Sequence, residues 1–354
     1  MRSGFLAFFF LLAVSSSASF AQEVRIGVLG LFHPHELELR AVPTKALVIT
    51  ISGETFVLEP RSPNSDARIK ISGHQMLVAI HGGEIRGVEL HASGRNSACS
   101  FFLSVPGRVN RRYRGTLSIT VKDGELSPVV AMDLETAVAS VVQAESRPHT
   151  PDEALKSQAV VTRSYFVAGK GRHESFDFCD LAHCQVMRDD PAQGSPAVHA
   201  AEETAGLVLA YQGKPIAAMF TRSCGGRTRT PSELGMPVNG YPYFSVVCDY
   251  CHTSPFRWTR KLSREDAALL IAKGEAGRLA VDRRLGWSAV PSNNFTARPE
   301  GDEMILEGTG QGHGIGLCQR GAMDMATRGA DFRQILDHYF PNATLIHVAT
   351  SFGP

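Results

Sequence analysis

A change of pattern near residue 129 constrains the fold of this chain more than any other feature of its sequence. Before it, residues 24–125 contain short segments rich in β-branched residues that mostly end at glycine or serine turns; they read VRIGVLG, ALVITISG, RIKISG, QMLVAIHGG, GVELHAS and TLSITV. After it, apolar residues recur at helical spacing between capping residues. The sequence therefore predicts an α+β fold, with a β-rich N-terminal region at residues 22–125 and a mixed α+β domain at residues 126–354.

The second half predicts a series of capped helices. Asp133 is placed to cap a helix that runs to about Glu145. Thr150, Pro151 and Glu153 form a capping-box pattern, which predicts a second helix that ends near residue 169 or 171. Further helices are predicted after Ser195-Pro196, after Ser263 (a short one), and in QGHGIGLCQRGAMDMA and DFRQILDHYF, with a hairpin around residues 212–214.

The N-terminus has the pattern of a secretory signal peptide. Arg2 precedes the apolar run FLAFFFLLAV, and Ser19 and Ala21 occupy the small-residue positions of a cleavage site. The run is shorter than the roughly 20 residues that a transmembrane helix needs, although an uncleaved anchor is the alternative. We expect residues 1–21 to be removed, no later membrane span, and a mature protein in the periplasm, cell wall or extracellular space.

Charge and cysteine content narrow the function further. The net charge of +1 argues against a nucleic-acid-binding protein, which usually carries a basic excess. Export favours disulfides, yet the seven cysteines are an odd number, so at least one is unpaired within the chain or bound to metal.

Glu145 is the most informative single residue. It lies at the C-terminal end of an apolar predicted helix, where the helix macrodipole disfavours a carboxylate. Partial burial there would raise the pKa of this carboxyl group, as a general acid requires. The alternative is an ordinary surface glutamate.

Two groups of cysteines and histidines have the spacing of metal ligands. The segment HESFDFCDLAHC fits a zinc site or, alternatively, a disulfide with incidental histidines; its four candidate ligands are His173, Cys179, His183 and Cys184. The second group is a second metal site or one or two disulfides, and export favours the disulfides; its members are Cys224, Cys248, Cys251 and Cys318.

A glycine-rich segment, GTGQGHGIGLCQRGA, surrounds His313. Glycines let the backbone approach a ligand closely, and a histidine there could bind a sugar or support Glu145. The alternative is a structural loop. Arg163, in VVTRSYF, could contact an acidic group of a ligand, pair with a buried carboxylate, or remain solvated.

In order, these stretches resemble the SpoIID/LytB family over about residues 115–345. The motifs are DLETAVASVVQAES, EALKSQAVVTRSY, FDFCDLAHCQV, ETAGLVLAYQGKPIAAMF, SCGGRT, PYFSVV, GHGIGLCQRGAMDMATRG and ILDHYFP. The family includes lytic transglycosylases that degrade peptidoglycan glycan strands, and amidase enhancers that stimulate another wall hydrolase. The resemblance implies one of these two functions, with peptidoglycan and a cell-wall amidase as the respective partners.

The resemblance also assigns roles to residues. Glu145 matches the catalytic glutamate of the SpoIID type, in AESRP where the family has a segment like AEMP, so Ser146 and an extra Arg147 are departures. The histidine/cysteine cluster matches a site that can bind structural zinc, with His173 the ligand whose match is weakest. The resulting hypothesis is cleavage of the MurNAc–GlcNAc bond by one carboxylate, giving 1,6-anhydro-MurNAc ends. The expected substrate-binding residues are His313, Arg163, Gly312, Gly314 and Gln319.

Two questions stay open at this point. An ordinary glycosidase uses two carboxylates, and Asp133, Glu233 and Asp249 are the candidates for a second one. A zinc-dependent hydrolase is a third function, which would need three protein ligands and an open metal position.

Overall fold

The computed structural model describes residues 23–95, 99–238 and 240–348; the predicted signal peptide lies outside these residues. The first twelve strands form one sheet. They are β1 (Glu23–Gly27), β2 (Glu36–Ala41), β3 (Leu47–Ile51), β4 (Glu54–Leu58), β5 (Asp66–Ser72), β6 (Gln75–Ile80), β7 (Gly83–Gly87), β8 (Glu89–Ser93), β9 (Cys99–Val105), β10 (Val109–Lys122), β11 (Glu125–Asp133) and β12 (Phe178–Cys179).

The strand order in this sheet is β12-β1-β11-β10-β9-β2-β5-β6-β7, with β8 joining β10 to β3, and β3 pairing with β4. The long strand β10 pairs with β9 over its first half and with β8 over its second half, and β11 lies on its other side. Gly115 lies where the partners change, with φ 147°. A Cβ atom there would collide with the Ala131 carbonyl, so the close approach of β11 requires glycine.

The rest of the described chain contains the helices and eight short strands. The helices are α1 (Leu134–Glu145), α2 (Asp152–Ala168), α3 (Pro196–Glu203), α4 (Asp249–Thr253), α5 (Arg264–Leu285), α6 (Gln319–Thr327) and α7 (Phe332–Tyr339). The strands are β13 (Leu207–Tyr211), β14 (Lys214–Pro215), β15 (Phe220–Thr221), β16 (Arg257–Ser263), β17 (Phe295–Glu300), β18 (Glu303–Thr309), β19 (Leu317–Cys318) and β20 (Thr344–His347). They form three small sheets, β14-β13-β20, β15-β19 and β16-β18-β17.

Three apolar cores hold these elements together. The largest joins the twelve-stranded sheet to α1 and to one face of α2. The opposite face of α2, with Val160 and Val161, packs against α6 and α7 in a second core. The third core lies between α5 and β16–β18, around Trp258, Leu270 and Leu306. Helix α2 is therefore buried from two sides, which fixes its position relative to the end of α1.

The observed architecture confirms the predicted α+β class, with a β-rich region first and a mixed region after it. Helix α1 begins at Asp133 as predicted, because the Asp133 Oδ1 accepts the backbone N–H groups of Glu135 (3.0 Å) and Thr136 (3.1 Å). The sequence-based boundary at 125/126 lies inside β11, and the domain limits remain a prediction. No helix among the described residues is long and apolar enough to cross a membrane.

Some local predictions were wrong. Thr150 does not cap α2: Pro151 occupies the N-cap without a side-chain bond, and the Thr150 hydroxyl donates to the Arg147 carbonyl (2.8 Å). Glu153 accepts instead from the Phe332 N–H (2.8 Å), far along the chain. The short helix expected after Ser263 is the 22-residue α5, which is interrupted at Gly274.

Candidate active site and metal centres

Glu145 is the last residue of α1 and lines a cavity. The helix stops because Ser146 is extended (φ −78°, ψ 157°) and donates its N–H to the Val142 carbonyl. Pro148 follows and disfavours further helix. The side chain of Glu145 is therefore the last that α1 presents.

Burial raises the pKa of the Glu145 carboxyl group above its ordinary value. The positive charge of Arg222, a hydrogen bond from the Val186 backbone and the charge of Arg188 act in the opposite direction without cancelling the effect of burial. The raised pKa that the sequence predicted for a partly buried Glu145 is confirmed in direction.

A small cavity that opens to solvent lies beside Glu145. It is bounded by the end of α1, the first turns of α2, the segment after β15 and the start of α6. Its lining residues are Glu145, Ser146, Arg147, Thr150, Ala154, Leu155, Gln158, Arg222, Leu317, Gln319, Arg320, Ala322 and Met323. Among these residues Glu145 is the sole carboxylate, which suits chemistry that needs one acid.

Three arginines, Arg147, Arg222 and Arg320, line the same cavity as Glu145. Burial, followed by the positive charges of Arg222 and Arg320, lowers the pKa of Arg147, because the three guanidinium groups lie near one another. The Arg320 backbone N–H also donates to the Arg222 carbonyl (3.3 Å), which ties α6 to the segment after β15. A cavity with three guanidinium groups and one carboxyl group of raised pKa favours an anionic ligand.

Gln319 lies where a substrate-binding residue is expected. Its Nε2 atom donates to the Gln158 Oε1 (3.4 Å), and both amides line the cavity. Gln158 and the three arginines also line the cavity, and sequence reasoning did not indicate them as site residues. They come from separate segments that only the fold brings together, although Arg147 stood out as an insertion.

The glycine-rich loop does not face this cavity as expected. The Gly312 N–H donates to the Pro291 carbonyl (2.8 Å), and the Gly314 N–H donates to the Thr221 hydroxyl (3.1 Å). These backbone donors are used within the protein and neither glycine lines the cavity, so a substrate contact at Gly312 or Gly314 stays a prediction. The loop instead fixes β19 and the start of α6.

His313 also lies away from the cavity lining. Its Nδ1 accepts the Ile315 N–H (3.0 Å), and the charged groups that act on it are Glu275 and Arg278 of α5. Burial lowers the pKa of this imidazole. The support of Glu145 by His313 stays a prediction, and the partners of His313 agree with the structural interpretation of the loop.

Arg163 is a structural residue, so its prediction as a substrate contact was wrong. It is fully buried and forms a bidentate ion pair with Glu135 of α1, with Nε–Oε1 at 2.8 Å and Nη2–Oε2 at 2.5 Å. Its remaining donors reach the carbonyls of Ala201 (3.0 Å) and Leu207 (3.1 Å), and the hydroxyl of Thr204. This pairing with a buried carboxylate was one of the alternatives that the sequence left open.

The three carboxylates considered as partners of Glu145 lie elsewhere. Asp133 caps α1. Glu233 pairs with Arg227 and accepts the Thr230 N–H, which lowers the pKa of its carboxyl group. Asp249 is exposed at the start of α4. None of the three lines the cavity beside Glu145.

The structure gathers the first predicted ligand set into one cluster. One ligand atom from each of His173, Cys179, His183 and Cys184 lies within 4.8 Å of the other three. Cys184 Sγ is 3.4 Å from His173 Nε2 and 3.6 Å from His183 Nδ1. A tetrahedral zinc ion with two sulfur and two nitrogen ligands has S–N edges of about 3.5 Å, so these side chains fit zinc without rearrangement.

The cluster also connects to Glu145. The hydrogen bond between its two thiols lowers the pKa of Cys184 to about 7 and raises the pKa of Cys179 to about 12. The cluster closes the loop that leads directly to Val186 and Arg188, the two residues of this loop that act on the Glu145 carboxyl group. Four protein ligands leave no open position, so a metal here would be structural.

The second group of cysteines also converges. All seven cysteines of the chain are unpaired, so the disulfides that export favoured among them are not formed in this structure. The sulfur atoms of Cys224, Cys248, Cys251 and Cys318 are buried and lie within 4.8 Å of one another.

Comparison with known proteins agrees with the resemblance seen in the sequence. Residues 122–211, from the end of β10 through β13, match the family model described as SpoIID, stage II sporulation protein. This segment is therefore similar to the SpoIID family. The resemblance to the SpoIID/LytB family is confirmed by this match and by two of the relatives below.

Three relatives are similar over longer stretches. An uncharacterized protein of Brachyspira hyodysenteriae is 28% identical over 268 residues, which cover 66% of this chain and 72% of the relative. Stage II sporulation protein D of Bacillus amyloliquefaciens is 26% identical over 254 residues, covering 58% of this chain and 72% of the relative. The amidase enhancer of Bacillus subtilis is 22% identical over 273 residues, covering 54% of this chain but 38% of the relative.

The matched segment contains Glu145, the Arg163–Glu135 pair and the histidine/cysteine cluster. The opposite wall of the cavity, with Arg222 and residues 317–323, lies beyond the matched segment. The two parts of the site therefore come from different regions of the chain.

Proposed function

We propose that this protein is a lytic transglycosylase that cleaves peptidoglycan glycan strands with Glu145 as its acid and base. The SpoIID match and the relatives named stage II sporulation protein D and amidase enhancer support a cell-wall-related role. The observation that carries the finer proposal is the partly buried Glu145, whose pKa is raised, as the sole carboxylate lining its cavity.

The proposed reaction needs one carboxyl group in two successive roles. Protonated Glu145 donates its proton to the glycosidic oxygen between MurNAc and GlcNAc as the bond from that oxygen to C1 of MurNAc breaks. The resulting carboxylate accepts the proton of the MurNAc C6 hydroxyl as O6 forms a bond to C1. The products are a 1,6-anhydro-MurNAc end and a new GlcNAc end, and Glu145 is protonated again without consumption of water.

The arginines support an anionic substrate. MurNAc carries a lactyl group, which ends in a carboxylate or in a peptide with further carboxylates. Arg147, Arg222 and Arg320 are placed to bind such groups, and the amides of Gln158 and Gln319 suit sugar hydroxyl and acetamido groups. In this proposal these residues replace Arg163 and the glycine-rich loop as the substrate contacts.

We also propose a structural zinc ion at His173, Cys179, His183 and Cys184. The fit of this cluster to a tetrahedral ion supports it. Bound zinc would hold the loop that carries Val186 and Arg188 against Glu145. The zinc-dependent hydrolase is disfavoured because the cluster offers four protein ligands and no position for water. Consistent with a wall substrate, we propose that the chain is exported.

The similarity to an amidase enhancer favours a second candidate function, binding to the wall and stimulation of a wall amidase. The two functions share the fold and the cavity. They differ in whether Glu145 must change its protonation state, so a single isosteric substitution separates them.

The experiment compares wild type, Glu145→Gln and a control, Glu84→Gln, which changes an exposed glutamate of β7. Each is incubated with intact and amidase-stripped peptidoglycan, and mass spectrometry measures anhydro-MurNAc ends. We expect Glu145→Gln to lose about 10²–10⁴-fold in rate and the control to match wild type. Absence of anhydro ends from every variant, with equal stimulation of an added amidase, would establish the enhancer function instead.

A further inference from the structure

The second cysteine cluster joins three distant segments. Cys224 follows β15, Cys248 and Cys251 lie at the start of α4, and Cys318 is the N-cap of α6. Cys224 and Cys318 are 94 residues apart, and Cys251 and Cys318 are 67 residues apart. The fold brings four buried thiols from separate segments together, and a shared ligand would explain this arrangement.

Their spacing matches a metal ion better than disulfides. A disulfide brings two sulfur atoms to about 2.05 Å, whereas a tetrahedral zinc ion holds four thiolates at S–S distances of about 3.8 Å. Cys251 Sγ and Cys318 Sγ lie 3.5 Å apart, and all four sulfurs lie within 4.8 Å of one another. The cluster therefore has the dimensions of a tetrathiolate site.

Hydrogen-bond donors surround the sulfur atoms, as they do around metal-bound thiolates. The Cys224 backbone N–H donates to Cys318 Sγ (3.4 Å), and the Tyr339 hydroxyl donates to Cys248 Sγ (3.3 Å). The Ser223 hydroxyl lies 3.4 Å from Cys251 Sγ. These donors would offset part of the negative charge that four thiolates leave after binding a divalent ion.

Gly321 of α6 makes room for this arrangement. A Cβ atom at this position would lie 2.5 Å from Cys248 Sγ and closer still to the Tyr339 hydroxyl. The helix therefore packs directly on the cluster, and any larger residue would displace a sulfur atom or its donor.

We propose that Cys224, Cys248, Cys251 and Cys318 bind one zinc ion in a structural site distinct from the histidine/cysteine cluster. Four soft sulfur ligands at tetrahedral spacing select zinc over hard cations such as magnesium or calcium. With all four positions filled by protein, the ion holds segments together and takes no direct part in catalysis.

The proposed zinc site lies at both ends of the segment between Cys251 and Cys318. This segment contains the third core, which is formed by β16–β18 and α5. Bound zinc would fix the two ends of the segment relative to each other. It would also hold Arg222, two residues before Cys224, and Gln319, directly after Cys318, at the cavity; this last consequence alone depends on the proposed function.

The test measures metal and thiols without reference to glycan cleavage. The full chain is purified without chelators, and zinc is quantified by mass spectrometry in wild type and in Cys179→Ser/Cys184→Ser, which disables the first cluster. We expect the variant to retain one zinc per chain, with four sulfur neighbours in the zinc X-ray absorption spectrum. A matched Cys251→Ser/Cys318→Ser variant is expected to lose that sulfur-only zinc.

A measurement on wild type alone guards against variants that do not fold. Thiols are titrated in denaturant with chelator and without reductant, and the proposal expects all seven cysteines to react. Any disulfide among these four cysteines, which leaves five or fewer reactive thiols and is located by peptide mapping, would overturn the proposal. Iron in place of zinc, or zinc with nitrogen or oxygen neighbours at this site, would also overturn it.

Discussion

The buried pair of Arg163 and Glu135 allows a quantitative prediction about stability. Both side chains are fully buried, and Glu135 Oε1 also accepts the Gly206 N–H (3.2 Å). Arg163→Met keeps the length of the side chain but leaves Glu135 as a buried charge without its partner. Breaking such a pair costs about 3–5 kcal/mol, because the remaining charge keeps its desolvation penalty without the compensating attraction.

The expected shift in Tm follows from the size of the protein. An unfolding entropy of roughly 2.1 cal/mol/K per residue gives about 0.7 kcal/mol/K for some 330 residues that unfold together. A loss of about 3–5 kcal/mol then lowers Tm by about 4–7 °C, which differential scanning calorimetry resolves.

A double variant tests the reasoning further. Arg163→Met/Glu135→Leu leaves no lone charge, although the carbonyls of Ala201 and Leu207 lose their donor. We expect it to be less destabilised than the sum of the two single variants. Additive effects, or a Tm change under about 1 °C for Arg163→Met, would refute the structural role. Loss of glycan cleavage at an unchanged Tm would restore Arg163 as a substrate contact.

Three further predictions concern the cavity and the cysteine cluster. Burial raises the native pKa of Glu145, so its contribution to stability is present below the unfolded-state pKa and is lost as pH rises through the native pKa. Glu145→Gln should therefore be more stable than wild type at pH 8 but not at pH 3. Thermal melts at both pH values would show this difference. Arg222→Gln removes a positive charge that lowers the pKa of Glu145, so the alkaline limb of the pH–rate profile should move to higher pH. The KM for peptide-bearing glycan should rise about tenfold. An unchanged alkaline limb would mean that the charge of Arg222 does not act on Glu145. Gly321→Ala should lower the free energy of unfolding by about 1–3 kcal/mol, as measured by chemical denaturation. Gly83→Ala should lower it less, because the added Cβ would make ordinary contacts. Equal losses would mean that α6 does not pack tightly on the cysteine cluster.

Local sequence patterns predicted most of the elements but not all of their ends. Asp133 was predictable as a cap because its partners are two and three residues away. Thr150 and Glu153 formed an equally clear local pattern, yet Glu153 bonds Phe332, 179 residues away. A local pattern cannot reveal when a distant segment offers the side chain another partner.

In the candidate site, too, residues within short motifs were predictable and residues from distant segments were not. Glu145 and the histidine/cysteine cluster lie within short motifs, so their spacing and the family resemblance were enough to indicate them. Arg147, Arg222 and Arg320 reach one cavity from three parts of the chain, and no spacing in the sequence links them. Arg163 was ambiguous because its partner Glu135 belongs to a different helix, and burial decided between a ligand contact and a structural role.

The loop that closes the histidine/cysteine cluster also covers one edge of the large sheet. Asp177 donates its N–H to the Arg25 carbonyl (2.9 Å), Asp180 donates its N–H to the Gly27 carbonyl (3.1 Å), and β12 pairs with β1 between them. Cys179 belongs both to β12 and to the cluster. Without this loop, β1 would present unpaired backbone groups to other molecules, which is a common origin of aggregation. If the cluster binds zinc as we propose, reagents that remove the metal should promote self-association, visible as increased light scattering, before they unfold the protein.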